Sequence, residues 1–284
     1  LDAENSIIYP GLIDAHGHMM SYARMLLSAD LFGSTSMQEI VVRLEKYDQK
    51  SNATCLIGRG WDQTNFSSNE PLTNEALTKA FPNKPVLIYR VDGHAAIAND
   101  AALKKAGIIA GTIIPGGRVD VTNGKCSGLL LDNAITRVSN VLPDFNRTKL
   151  ITALQQVEQE LFQFGITGVH EAGVDFKDLQ LLRSMSKAKK ISLNLNVMLF
   201  PTKENIAFAQ KKGIVQEQNL TIRSFKIIGD GALGSRGALL KNTYSDDPHN
   251  HGILTTSIEE MDAVARIARS INYQVNIHAI GDST

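Results

Sequence analysis

Cysteine occurs only twice in the 284 residues, at Cys55 and Cys126. Two thiols are too few for a disulfide framework or a zinc–thiolate site. Free buried thiols are therefore the default reading, with a single disulfide as the alternative. No stretch approaches the roughly 18 to 20 apolar residues of a membrane-spanning helix. An excess of either charge is also missing: Lys and Arg total 29, Asp and Glu 29, and the net charge is +0. Nucleic acid or an anionic membrane calls for a basic excess. The expected partner is thus a small-molecule substrate, with no nucleic acid and no membrane; self-association as a homo-oligomer is left open. No G-x-S-x-G nucleophile elbow is present, nor any internal repeat or low-complexity tract. Both ends read as cut, because the chain starts at Leu1 rather than Met and closes on a strand and turn. The lack of a signal peptide then says little about compartment, and a cytoplasmic location is the working expectation.

What is present is the composition of an ordinary globular chain, 43% hydrophobic and 20% charged. Its length suits one large domain or a domain with a sizeable insertion. Tyr9-Pro10-Gly11 signals a turn, followed by a short strand over 12–18 and a helix over 19–28. Residues 36–48 carry apolar side chains at helical spacing, with Ser36 and Glu39 as a capping box. Short β-rich runs follow at 54–58 and 85–91, and a tight turn at 111–117; residues 29–145 read as mixed and turn-rich. A regular rhythm then begins. Helices are expected at 147–164 (stopped by Gly165), 178–188, 204–212 and 257–271, the last with Ser257 and Glu260 as a capping box. Strands are expected at 166–170, 191–200, 222–228 and 273–277.

This βαβαβαβ alternation is the pattern of a parallel sheet in an α/β protein. A (β/α)8 barrel takes about 250 residues, so the segments outside 29–145 hold about five of its eight units. The alternative is an open doubly wound sheet.

Four positions carry chemistry. His16 and His18 stand two apart on a strand, so their side chains share a face. Two imidazoles at a strand's C-terminal end can hold one metal ion; the spacing alone leaves a packed and a solvated histidine equally open. Lys226 sits inside an apolar strand, where a charge is costly. It reads as a carboxylated bridging ligand, a Schiff-base amine or a snorkelling lysine. His278 closes the strand before 279–284, and His170 ends another, where it lines the pocket or packs. Asp230 and Asp282 follow their strands closely enough to orient ligands or substrate. His249 and His251 read as surface residues. Gly-Asp-Gly-Ala-Leu-Gly (229–234) fits G-x-G-x-x-G, but no clear helix follows it, which argues against a dinucleotide site.

Together these segments resemble the amidohydrolase superfamily. Tyr-Pro-Gly-Leu-Ile-Asp-Ala-His-Gly-His (9–18) looks like its first-strand signature. The likeness extends to the amidohydrolase-3 or YtcJ-like branch, related to N-substituted formamide deformylase. It runs through 58–63, Asp-Gly-His-Ala-Ala-Ile-Ala-Asn (92–99), Gly-Ile-Thr-Gly-Val-His-Glu-Ala (165–172), 225–235 and Ile-His-Ala-Ile-Gly-Asp (277–282).

The resemblance implies a metal-dependent hydrolase on a TIM-type (β/α)8 barrel, incomplete in this chain at about strands 1–5. Residues 10–28 and 146–284 would form the barrel, 29–145 an insertion over its mouth, and 1–9 the end of a flanking β-sandwich. Zinc, as one or two divalent ions, is the implied cofactor. His16, His18, Lys226 and His278 are the implied ligands, with Lys226 carboxylated and with Lys226 and His278 at the catalytic centre. A strand-six histidine and a strand-eight aspartate used by the family fall outside the chain. Trp61, Asp62 and His94, with His170, Asp230 and Asp282, are the candidate substrate contacts, with core packing equally open for Trp61. The implied reaction is hydrolysis of an amide-type C–N bond by a metal-activated water. The rivals are a metal-free Schiff-base lyase using Lys226 and a non-catalytic binding protein on the same scaffold.

Overall fold

The computed structural model describes residues 7–67 and 72–284. The chain divides into two compact units. The first comprises Leu1–Arg24, Asn146–Ile227 and Met261–Asn276; the second comprises Met25–Phe145, Ile228–Glu260 and Ile277–Thr284. The second is thus larger than the expected insertion, because 228–260 and 277–284 pack with it. The sandwich strand expected at 1–9 falls mainly on residues 1–6, outside the described residues, and 7–9 carry no strand.

In the first unit, strands Leu12–Gly17, Ile166–Val174, Asn194–Leu199 and Leu220–Ile228 lie side by side in that order, each pair parallel. Val215–Glu217 folds back antiparallel on Leu220–Ile228, which also pairs with Gln274–His278. Among the described residues the sheet does not close into a barrel.

Helices Arg147–Gln163, Phe176–Lys187 and Lys203–Lys212 connect the strands. Each starts where a side-chain oxygen takes up orphan helix amides: Asn146 for Thr148 and Lys149, Asp175 for Asp178, Thr202 for Asn205. Gly165 ends the first of these helices at φ 73, a left-handed conformation that glycine adopts without Cβ strain. Leu150, Leu154 and Val157 of that helix are buried, as are Val169, Leu195, Val197, Ile222 and Phe225 of the sheet.

The Ile166–Val174 strand runs four residues past the expected 166–170, which moves His170 from a strand end to mid-strand. Glu171, just past the expected strand end, is buried at 2% exposure, and the strand continues through it.

The second unit is more regular than a turn-rich insertion. Its six strands order as Ala29–Asp30, Leu56–Trp61, Val86–Arg90, Ala95–Ala98, Lys125–Asp132 and Gly117–Thr122. The first three are mutually parallel and the rest antiparallel. Alternating strand residues feed two cores. Val86, Ile88, Ile97 and Leu131 pack with Ile40 and Leu44 of helix Met37–Ser51. Leu87, Ala96, Ala98 and Leu130 pack with Leu103, Ile135 and Val138 of helices Asp100–Ala106 and Asn133–Ser139. A sheet buried on both faces by helices follows from that period-two alternation.

Ser257 and Glu260 form the expected capping box, each side chain accepting from the other's amide. At the other predicted box, Ser36 accepts from Glu39 N, but Glu39 turns back to Thr35 N, one residue further out. Both cysteines are free; Cys55 is buried and Cys126 half-buried. Among the described residues no helix is long and apolar enough to cross a membrane.

Candidate metal centre and active site

In the first unit the two histidines sit on a strand-to-helix elbow. The Leu12–Gly17 strand loses regular pairing between Asp14 and Gly17, a bulge-like irregularity of the kind that re-aims side chains. Asp14 Oδ1 accepts His16 N at 3.0 Å. Gly17 approaches its neighbour so closely that an added Cβ would lie 2.6 Å from Val169 Cγ1. Helix Met19–Leu26 begins immediately after His18. The two imidazoles are exposed and edge-on, with centroids 5.2 Å apart.

Lys226, on strand Leu220–Ile228, is 3% exposed. Its Nζ lies 3.4 Å from His16 Nε2. Burial pushes the Lys226 amine down from the ordinary lysine range, which favours the neutral amine. Beside the elbow, Glu171 accepts Met19 N at 2.6 Å and Met20 N at 3.4 Å. Burial pushes the Glu171 carboxyl up to about 8, against those two amide hydrogen bonds, with Asp178 adding to the rise and Arg24 opposing it.

Among the described residues, no three His, Cys, Asp or Glu side chains gather in one place suited to a metal. The third donor beside the two histidines is an amine, that of Lys226. Two imidazoles and a desolvated nitrogen fit the ligand preferences of zinc-type ions.

The second unit holds a polar group of its own. His94 Nδ1 lies 2.7 Å from Asp132 Oδ1. The Asp132 side chain is 2% exposed, and its other oxygen has no hydrogen-bond partner. The Asp132 backbone sits at φ 49, ψ −118, a conformation that costs a non-glycine residue energy. For His94, burial works to lower the pKa; the hydrogen bond and charge of Asp132, helped by Asp92 and Asp230, outweigh it, and the pKa is raised.

His278 stacks on His94 with centroids 4.8 Å apart. His278 Nε2 lies 3.1 Å from Gly231 O. A carbonyl only accepts, so Nε2 donates here. Asp230, wholly buried, accepts from Leu239 N, Ile280 N, Gly281 N and Thr284 Oγ1. Burial would raise its pKa; those donors outweigh it and hold the carboxyl below the ordinary range.

The remaining candidates have other partners. Trp61, read from sequence as a substrate contact, is 0% exposed, packs in the core and donates Nε1–H to Ile88 O; no face of it remains for a ligand. Asp62 is tied to Arg90 and caps the turn Gln63–Asn65. Asp282 is exposed and accepts Lys241 N. His170 lines a small recess with Ile13, Asn194, Asn196 and Thr221. His249 and His251 are exposed, as expected. No helix follows 229–234 directly. Sequence reading missed Asp132 and Glu171. Their partners lie 38 and 152 residues away, and no local spacing signals them.

A family model described as "Amidohydrolase family" matches residues 1–284. The chain is 30% identical to YtcJ of Bacillus subtilis, named as an amidohydrolase, over 99% of this chain and 54% of that protein. It is 26% identical to N-substituted formamide deformylase of Arthrobacter pascens, over 69% of this chain and 38% of the enzyme. A crystal structure described as an uncharacterized metal-dependent hydrolase from Pyrococcus horikoshii superposes with a TM-score of 0.70 at 29% identity, covering 96% of this chain and 54% of that one. The chain thus spans about half the length of the first of these relatives and of the solved structure.

Proposed function

Because the chain belongs to the amidohydrolase family, we propose that it forms the metal-binding part of a hydrolase that cleaves amide-type C–N bonds, in an N-acyl or N-formyl amine or a cyclic amide. One observation carries this reading. His16 Nε2 and Lys226 Nζ, 210 residues apart in sequence, stand 3.4 Å from each other. A buried lysine against an imidazole has little structural value, since removing an ammonium from water is costly. The pair makes sense as half of a ligand set.

His16, His18 and Lys226 would hold a divalent ion, zinc being the best match to their nitrogens. When bound, the ion supplies Lewis-acid activation of water and of the scissile carbonyl. The neutral fraction that burial gives Lys226 is also what uptake of carbon dioxide requires, and the resulting carbamate would add an oxygen ligand. His278 is carried as a further ligand on the strength of the sequence likeness. Side-by-side winding of strands in sequence order supports a (β/α)8 barrel over a doubly wound sheet, whose order reverses. The deformylase's printed activity supports the choice of substrate class.

The test uses the full-length protein. After zinc reconstitution, a screen of N-acyl amines, N-formyl amines and cyclic amides should show hydrolysis that chelation or Lys226→Ala abolishes. Activity unchanged by both would overturn the reading. A borohydride-trapped carbonyl adduct on Lys226 would replace it with Schiff-base chemistry, which the same desolvated amine permits.

A further inference from the structure

The His16–His18 elbow is pinned at both ends by carboxyl groups. On the entry side, Asp14 accepts His16 N. On the exit side, the first two amides of the eight-residue helix Met19–Leu26 converge on one side chain, Glu171, at 2.6 and 3.4 Å. Glu171 lies opposite Gly17 in the strand pairing, so the residue between the two histidines and the clamp on the following turn are held by the same position of the neighbouring strand. A carboxyl this deeply buried is costly and rare unless it is paired with a cation or does specific work. Arg24, the cation in its surroundings, is bonded to both oxygens of Asp178. The two amides are orphan donors of a helix start and would otherwise need a local cap. His18 occupies that cap position and supplies no carboxylate or hydroxyl. The helix that carries the chain away from the second histidine is therefore capped from a different strand.

From this we infer that Glu171 is a positioning residue for the metal-binding histidines: its carboxyl fixes the Met19–Met20 turn and thereby the direction in which His18 leaves the strand. The inference rests on the metal-hydrolase reading for its consequence, though not for its geometry. Side chains that orient metal ligands typically change metal affinity about 10- to 100-fold when removed. Glu171 acts without touching the ligand side chain itself, through the peptide that follows it.

The experiment measures cobalt(II) binding to the full-length protein from visible absorption, with far-ultraviolet circular dichroism and thermal melts as a folding control. Glu171→Ala should weaken cobalt binding by about 10- to 100-fold at temperatures well below its melting point. Glu171→Gln, which keeps one acceptor oxygen, should recover part of that loss. It also carries the test if the alanine variant fails to fold. Wild-type cobalt affinity in the folded variants overturns the inference. If the wild-type protein binds no cobalt, the hydrolase reading fails on its own, and hydrogen exchange at Met19 and Met20 then decides the geometric claim. Faster exchange at those amides in Glu171→Gln supports the clamp, and unchanged exchange overturns it.

Discussion

His94 and Asp132 form a part-buried imidazole–carboxylate pair at 2.7 Å, with the carboxylate carried on a backbone held at φ 49. A residue that is strained, buried and left with one unpaired oxygen is held there by its surroundings rather than by its own preference. The surroundings are glycines: an added Cβ on Gly231 or Gly237 would come within 2.7 or 3.0 Å of Asp132 Oδ2. The pair gives a pH prediction. The folded-state pKa of His94 is raised above its ordinary 6.5. Its contribution to stability is therefore complete below about 6.5 and is lost as pH rises through the folded value. Urea unfolding across pH should show wild type losing its advantage over His94→Gln in that window, with parallel curves above it. Curves parallel throughout would contradict the pairing.

Lys226→Met should separate function from stability. Methionine keeps most of the volume and removes the cost of burying an amine, so the variant should gain about 1 kcal/mol or more. Metal-dependent hydrolysis should disappear. A variant both less stable and inactive would point to a structural lysine.

Asn99 is wholly buried and saturated: Nδ2 donates to Phe81 O and Lys84 O, and Oδ1 accepts from Val86 N and Ala102 N. Asn99→Ala leaves these groups without partners, at about 1 to 3 kcal/mol for each buried group left unsatisfied. Asn99→Asp should be worse, because a carboxylate oxygen would face two carbonyls. Chemical denaturation of both variants checks the order.

Trp61→Phe should cost roughly 2 kcal/mol through a cavity and an unpaired Ile88 carbonyl. The KM of the full-length enzyme should not change. A raised KM in a folded variant would return Trp61 to the substrate site.

The first unit was largely legible in sequence because its signals are local. Apolar stripes and the stop at Gly165 act within a few residues, as does the Ser257–Glu260 box of the second unit. The hairpin of the second unit also carried a local signal, Asn123-Gly124, both at positive φ, which is a strong turn marker. Read as part of a loop-rich stretch, it hid a six-stranded sheet, most of whose other pairings join residues far apart in sequence. The site divides in the same way. His16 and His18 announce themselves by spacing, and Lys226 by its apolar context. Asp132 and Glu171 are ordinary acidic residues until folding buries them. Trp61 misled because an aromatic beside a charged motif reads alike in a pocket and in a core; only its 0% exposure distinguishes the two.

Among the described residues, strand Leu12–Gly17 stands at the end of its sheet, with Leu12 58% and Ile13 64% exposed. Its outer row of backbone groups is a template for another strand. Whatever pairs there grips the segment that bears His16 and His18, so docking along that edge and the grip on a metal ion are mechanically one event. Loosening the first would be felt in the second.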